Sequence, residues 1–302
     1  MNKRFIAIII IFLIMLTSCQ NATAVRKARK FIEDENYIRA ENVLKEIDNK
    51  TPEVYFLLGE TYRSMRKFPV ADSFYNIALK QQPALKNDII DAYSSIAMTE
   101  FLKGFDYNAN KYWNKVLNLD PDHDINIGFY YLGKHRYENG MEYSSKKLLL
   151  SALNISLPSN KKIDTYSMII NIYKDEQKFD TALIYVEQAI DEFGDMPESE
   201  ANFTVDMGEI LFNIAKRLYD EGEKQTALSK INKFIALGQP RSLLDDAYLL
   251  RGNIYFDIEE YEKAIPEYKK VQELNDVKLY GSRDTYIEAN RKLKEIISRT
   301  GR

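Results

Sequence analysis

One spacing recurs through almost the whole of this 302-residue chain and limits what it can fold into. It is clearest at Tyr55, Leu58-Gly59 and Tyr62, followed by Ala71, Tyr75, Ala78 and Pro83. The same skeleton returns at Tyr248, Gly252, Tyr255, Ala264, Tyr268 and Val271. Apolar residues three and four apart share one face of a helix. A glycine on one helix and an alanine on the next let the two backbones press together, where a larger side chain would hold them apart. Pro83 and Pro121 stop second helices, because proline lacks the backbone donor and clashes one turn back. No sustained period-two alternation bounded by turns points to strands.

Seven copies can be traced. The first sets Ala24, Ala28 and Phe31 against Ala40, Leu44 and Ile47. After the Tyr55 copy, the third runs Tyr93, Ile96-Ala97, Ala109, Trp113 and Val116. The fourth has Phe129, Leu132-Gly133, Ser145, Leu149 and Ala152; the fifth Tyr166, Ile169-Ile170, Tyr173, Ala182, Val186 and Ala189. The sixth has Leu211, Ile214-Ala215, Leu218, Ala227, Ile231 and Phe234, and the Tyr248 set closes the series. Short turns separate the paired helices: Met65 to Phe68, Glu176 to Phe179 and Ile258 to Tyr261 each end in an aromatic, while Gly104 and Gly140 hold the same slot with a residue that tolerates a left-handed backbone.

The pattern resembles the tetratricopeptide repeat, which runs W-x2-L-G-x2-Y, a small residue, an aromatic and a closing proline over about 34 residues. The tryptophan position here holds tyrosine, phenylalanine or leucine, and Arg136 stands where an aromatic is expected. The resemblance implies an all-α chain: a right-handed superhelical solenoid of antiparallel helix pairs over residues 19–281, about seven repeats, with a C-terminal capping helix over residues 282–302. In that last segment Asp284 is the expected cap, Tyr286, Leu293, Ile296 and Ile297 the apolar face, and Arg291, Lys292, Lys294 and Glu295 the polar one. The long connection around residues 192–200, with Gly194, Pro197 and several acids, is the best candidate for a break, although one continuous array is the favoured reading.

The amino terminus carries a second signal. Lys3 and Arg4 precede an apolar run from Phe5 to Leu16, and small residues follow. These are the parts of a secretory signal, here residues 1–18. The run is about a dozen residues, short of the roughly 20 that a membrane-spanning helix needs. Leu16-Thr17-Ser18-Cys19 is similar to the lipobox of bacterial lipoproteins, which implies cleavage before Cys19 and lipidation of that cysteine, the only one in the chain. Without a second cysteine no intrachain disulfide forms, so packing alone supports the fold. In that family an aspartate after the lipidated cysteine marks inner-membrane retention in enteric bacteria. Gln20 stands there, which implies the outer membrane, facing the periplasm.

Losing residues 1–18 removes two cations and no acid, taking the formal charge from −3 to −5. An acidic chain without a Lys/Arg tract does not suit nucleic acid. The two histidines, His123 and His135, form no metal-binding spacing. The acids around Pro121 lack the order of a calcium loop. No nucleophile elbow or phosphate-binding glycine loop is present. The expectation is a non-enzyme without a cofactor or metal.

The family lines its concave surface with the first helix of each repeat. Taking positions i, i+4 and i+7 opposite the packing face gives Phe56, Glu60 and Arg63 in the second repeat, and Ser94, Met98 and Phe101 in the third. The candidate binding set is Tyr130, Lys134, Tyr137, Asn171, Lys174, Phe212, Lys216, Tyr219, Asn253 and Phe256. Lys134, Asn171, Lys216 and Asn253 fall at one equivalent position in four consecutive repeats. Asparagine grips a peptide backbone with a donor and an acceptor, lysine meets carboxylates, and aromatics supply contact area. The expected role is a membrane-anchored scaffold that holds an envelope protein or peptide segment. It resembles barrel-assembly accessory lipoproteins, pilotins and peptidoglycan-hydrolase adaptors. A binding protein for a small molecule or glycan is the alternative.

Overall fold

The computed structural model describes residues 21–194, 197–276 and 282–301, with the side chains of residues 197–202 and 276 outside that description. The signal segment and Cys19 therefore lie outside the described residues, as do residues 195–196 in the long connection. The described residues form fifteen α-helices and no strand. In chain order these are α1 (residues 21–33), α2 (Tyr37–Lys45), α3 (Pro52–Ser64), α4 (Phe68–Gln81), α5 (Lys86–Leu102), α6 (Asp106–Leu119), α7 (Gly128–Glu138), α8 (Glu142–Leu153), α9 (Ser159–Asp175), α10 (Phe179–Phe193), α11 (Pro197–Asp220), α12 (Lys224–Leu237), α13 (Leu244–Asp257), α14 (Tyr261–Asp276) and α15 (Arg283–Thr300). The described residues are all-α and built of antiparallel helix pairs, as the spacing predicts.

The same local device closes the first helix of every pair. Glu35, Arg66, Gly104, Gly140, Gln177, Gly222 and Glu259 all have positive φ, between 55° and 85°. At each, the left-handed residue donates its N–H three residues back, and the next residue reaches five back. Arg66 donates to the Arg63 carbonyl and Lys67 to the Tyr62 carbonyl, both at 2.9 Å. This is a Schellman stop, which satisfies carbonyls that a helix end otherwise leaves bare. The chain then reverses into the second helix. Phe68 is buried just past its turn, and Phe179 and Tyr261 are half-buried in the equivalent place.

The described residues divide into two compact units between Leu132 and Gly133, within α7. In the first unit, Ala40, Leu44, Leu58, Ala71, Ala97 and Ala109 are buried at the pair interfaces. Thr51 caps α3 by accepting the Val54 N–H, and Pro52 occupies the first turn, where its missing donor costs nothing. Aromatic rings tie successive pairs together. Tyr75 meets Tyr93 edge-on at 5.6 Å, and Tyr93 meets Tyr112 at 5.9 Å. The Tyr93 hydroxyl donates to Asp72, which also pairs with Lys115 at 2.9 Å.

In the second unit a continuous core joins α9 to α13, from Tyr166 and Ile170 through Val186, Phe203, Ile214 and Ile231 to Leu250 and Ile254. Ala182, Ala215, Ala227 and Ala264 are fully buried where the spacing asks for small residues. Ser145 takes the small-residue position in the fourth pair and donates its hydroxyl to the Gly133 carbonyl at 2.8 Å. Arg136 is half-buried beside it, its guanidinium donating to the Ser144 carbonyl and held below its ordinary pKa by burial.

The final helix departs from expectation in detail. Ala289 and Ile296 are the buried residues that meet Phe256, Ala264, Tyr268 and Val271, with Leu293 beside them. Ile297 is 56% exposed, because one further residue turns the side chain about 100° off the packed stripe. Tyr286 is only half-buried. Asp284 lies inside the first turn instead of capping it, and Ser282 occupies the cap position without a side-chain bond.

Candidate functional site

The first-helix faces carry the residues that the sequence singles out, and in the second unit most of them are engaged with their own chain. Lys134 on α7 pairs with Asp164 on α9 at 2.6 Å. Lys174 on α9 lies between Asp206 and Glu209 on α11, at 2.8 and 2.6 Å. Burial pulls the Lys174 ammonium down, but its hydrogen bonds to the two carboxylates outweigh that and leave it above the ordinary lysine value. Lys216 on α11 is exposed and sits close enough to Asp246 on α13 for its charge to favour that carboxylate. Burial and the neighbouring Asp245 prevail, so the Asp246 carboxyl is raised from its ordinary value. The Tyr219 hydroxyl donates to Asp257 at 2.9 Å. These cations and the phenol thus reach from one first helix to the next.

Two of the expected contact residues are part of the core. Phe256 is 6% exposed, with the Lys292 ammonium 3.9 Å from its ring centroid, so α15 covers the face that a partner would need. Asn253 accepts the Tyr268 hydroxyl at 2.9 Å within its own pair. In the first unit Tyr130 is buried and meets Tyr131 edge-on at 5.0 Å. Tyr130 and Phe256 therefore present no ring to a partner. Tyr137 and Phe212 are half-buried, with Phe212 5.8 Å from Phe234. Asn171 is half-buried and makes no side-chain hydrogen bond among the described residues.

An open surface lies in the first unit instead. Between α3 and α5, Phe56, Glu60 and Arg63 face Asp88, Asp91, Ala92 and Ser95 across a hollow of about 230 Å³. The α3 side matches the spacing argument residue for residue. The α5 side is turned by one residue from the expected Ser94, Met98 and Phe101. The Ser94 hydroxyl is buried without a partner, and Phe101 packs 5.8 Å from Trp113 and 4.7 Å from Tyr131. Arg63 is fixed in place: Nε and one terminal nitrogen donate to Glu60 at 3.0 and 2.5 Å, and the other donates to Ser95 at 3.1 Å. Tyr75 adds a hydrogen bond of 2.5 Å to Glu60. Asp88 and Asp91 are exposed and carry no hydrogen bond or ion pair among the described residues. The sequence holds the sign of this, since neither acid has a cation three or four residues away on its own helix.

A second hollow, of about 330 Å³, lies in the second unit among Leu183, Met207, Leu211 and Leu237, with Glu187 and Lys233 at its rim. Among the described residues no group of three His, Cys, Asp or Glu side chains is placed to hold a metal ion. No helix among them is long and apolar enough to cross a membrane.

Residues 245–277 match the tetratricopeptide-repeat family model, which places α13 and α14 in that repeat class. No curated protein matches the chain. Among solved structures, one from the functional characterization of Pseudomonas aeruginosa pilF is 14% identical over 91% of this chain and 99% of that one, with a TM-score of 0.35. YrrB, described as a TPR protein with an unusual peptide-binding site, is 19% identical over 69% and 96%, at 0.36. A tetratricopeptide repeat protein from Parabacteroides merdae is 18% identical over 91% and 99%, at 0.32.

Proposed function

We propose that this chain is a membrane-tethered scaffold of the bacterial envelope, holding a protein or peptide segment against the first helices of its repeats. The observation that carries the binding half is the hollow between α3 and α5. It is built by neighbouring first helices and lined by the half-buried Phe56, by Ala92 and by charged side chains of both helices. Its volume of about 230 Å³ falls below the roughly 300–1,000 Å³ of sites that enclose small molecules, so at this site a chain segment fits better than a free metabolite or glycan. The tetratricopeptide match at residues 245–277 supports the same class of role.

The tether rests on sequence: the basic start, the apolar run and Leu16-Thr17-Ser18-Cys19. Acylation at Cys19 by more than one chain gives stable attachment, and Gln20 favours the outer membrane, facing the periplasm. Two measurements test the proposal. Growth with an alkyne fatty acid should label the wild type and leave Cys19→Ala unlabelled. A photo-crosslinking residue in place of Phe56 should capture a defined envelope protein. Equal labelling of both chains removes the tether, and the absence of any crosslink in intact envelopes removes the scaffold.

A further inference from the structure

The hollow between α3 and α5 also has a sign. Arg63 and Glu60 neutralise each other, and every donor nitrogen of Arg63 is directed at Glu60 or Ser95. Tyr75 occupies Glu60 from behind. That leaves Asp88 and Asp91 as two negative charges without an ion-pair partner at the hollow, both exposed. The contrast with the second unit is direct, because there Asp164, Asp206 and Glu209 each pair with a lysine of the preceding first helix. In the first unit the preceding helix supplies Arg63, which is spent, so the acids of α5 remain available to a partner.

We infer that this hollow receives a lysine or arginine side chain from an extended segment of the bound protein. The inference rests on the scaffold reading above and supplies the chemistry of its partner. Phe56 and Ala92 line the hollow with apolar surface for the aliphatic stem of such a side chain. Asp88 and Asp91, one helical turn apart on α5, meet the charged head at the rim. A carboxylate partner is disfavoured, because the cation it needs is already bonded and two acids repel it. A metal ion is disfavoured, because no third ligand joins the pair. The contact is solvated, so it sets the sign and position of the partner more than its total affinity, and it weakens with salt.

The test uses the full chain in detergent and a phage-displayed library of random twelve-residue peptides. Selection on the wild type should enrich Lys or Arg over the unselected library. The recovered peptides should bind Asp88→Asn/Asp91→Asn at least tenfold more weakly, a loss of about 1.4 kcal/mol. Because both acids are exposed and make no bond within the chain, the double variant should keep the wild-type helical circular dichroism, and its melting curve should fall only by the roughly 0.3–1 kcal/mol that Asp88 contributes in the first turn of α5. A charge-reversed Asp88→Lys/Asp91→Lys chain should shift selection toward acidic peptides. Recovered peptides without basic enrichment, or with equal affinity for wild type and variant, overturn the inference and leave the scaffold standing. Recovery of no binding peptide at all overturns both.

Discussion

The ring of Tyr75 fills the space that a side chain on residue 59 would need: a methyl group on Gly59 would sit 2.4 Å from its Cε1. The ring cannot swing aside. It is fully buried, its hydroxyl is bonded to Glu60, and its far edge is packed against Tyr93. Gly59→Ala should therefore force α3 and α4 apart and destabilise the chain by about 1–3 kcal/mol, the cost of overpacking a tight core. Urea unfolding followed by circular dichroism measures it. An unchanged midpoint contradicts the close approach.

This contact was legible before the structure, and its reason is local. Within a pair, a short turn and two helical periods fix which residues meet, so Gly59 with Tyr75, Gly133 with Leu149 and Gly252 with Tyr268 follow from spacing. Contacts between pairs depend on the angle at which one helix crosses another, and no period encodes that. Gly128 lies against Trp113 at 2.6 Å, and Gly208 under the Gln239 carbonyl at 1.8 Å, for a Cβ placed on each. Neither glycine belongs to the repeat pattern. The same ambiguity displaced the expected α5 face: a shift of one residue is a rotation of about 100°, which buries the Ser94 hydroxyl and turns Ser95 to the hollow. The expected lysines lie on first helices, but spacing did not show that acids of the next helix would occupy Lys134 and Lys174.

The buried phenols make the chain sensitive to alkali. Burial pushes the Tyr112 and Tyr166 hydroxyls up to about 12, with nearby carboxylates adding to the effect. Tyr75, Tyr93 and Tyr268 are raised further, burial again the largest cause. A phenol raised in the fold contributes stability below its unfolded value of about 10, and that contribution is lost as pH rises through the folded value. The urea midpoint should therefore fall between about pH 10 and pH 12. Part of the tyrosinate absorbance at 295 nm should appear only as the helical signal disappears. Complete ionisation near pH 10 with intact helices would contradict this burial.

Docking of the last helix depends on Asp245. Its side chain is 2% exposed, and one carboxylate oxygen accepts the Ser282 N–H at 2.7 Å, at the start of α15. Removing the acceptor with Asp245→Ala loses a hydrogen bond to a charged group and should cost about 1–3 kcal/mol. Asp245→Asn keeps an oxygen in reach and should cost less. Hydrogen exchange should quicken first in α15 and in the face of α14 beneath it. Uniform protection in both variants would show that apolar packing on Phe256, Tyr268 and Val271 holds the helix without this bond.

The turn residues invite changes of opposite sign. Gln177 has φ 57° and Gly140 has φ 70°, at the same place in the same hydrogen-bonded stop. A residue with a side chain pays about 1–2 kcal/mol to adopt that left-handed backbone. Glycine adopts it freely but gives up roughly 0.5–1 kcal/mol in unfolded-state entropy. The balance favours glycine by about 0.5–1 kcal/mol. Nothing else intervenes at Gly140, because a Cβ there would meet no atom within 4 Å. Gln177→Gly should then raise stability and Gly140→Ala lower it by a similar amount, read as opposite shifts of the urea midpoint at constant slope. Arg66 and Glu259, at φ 60° and 61°, should respond as Gln177 does. Loss of stability in Gln177→Gly would mean that the side chain contributes more at that turn than its backbone strain costs.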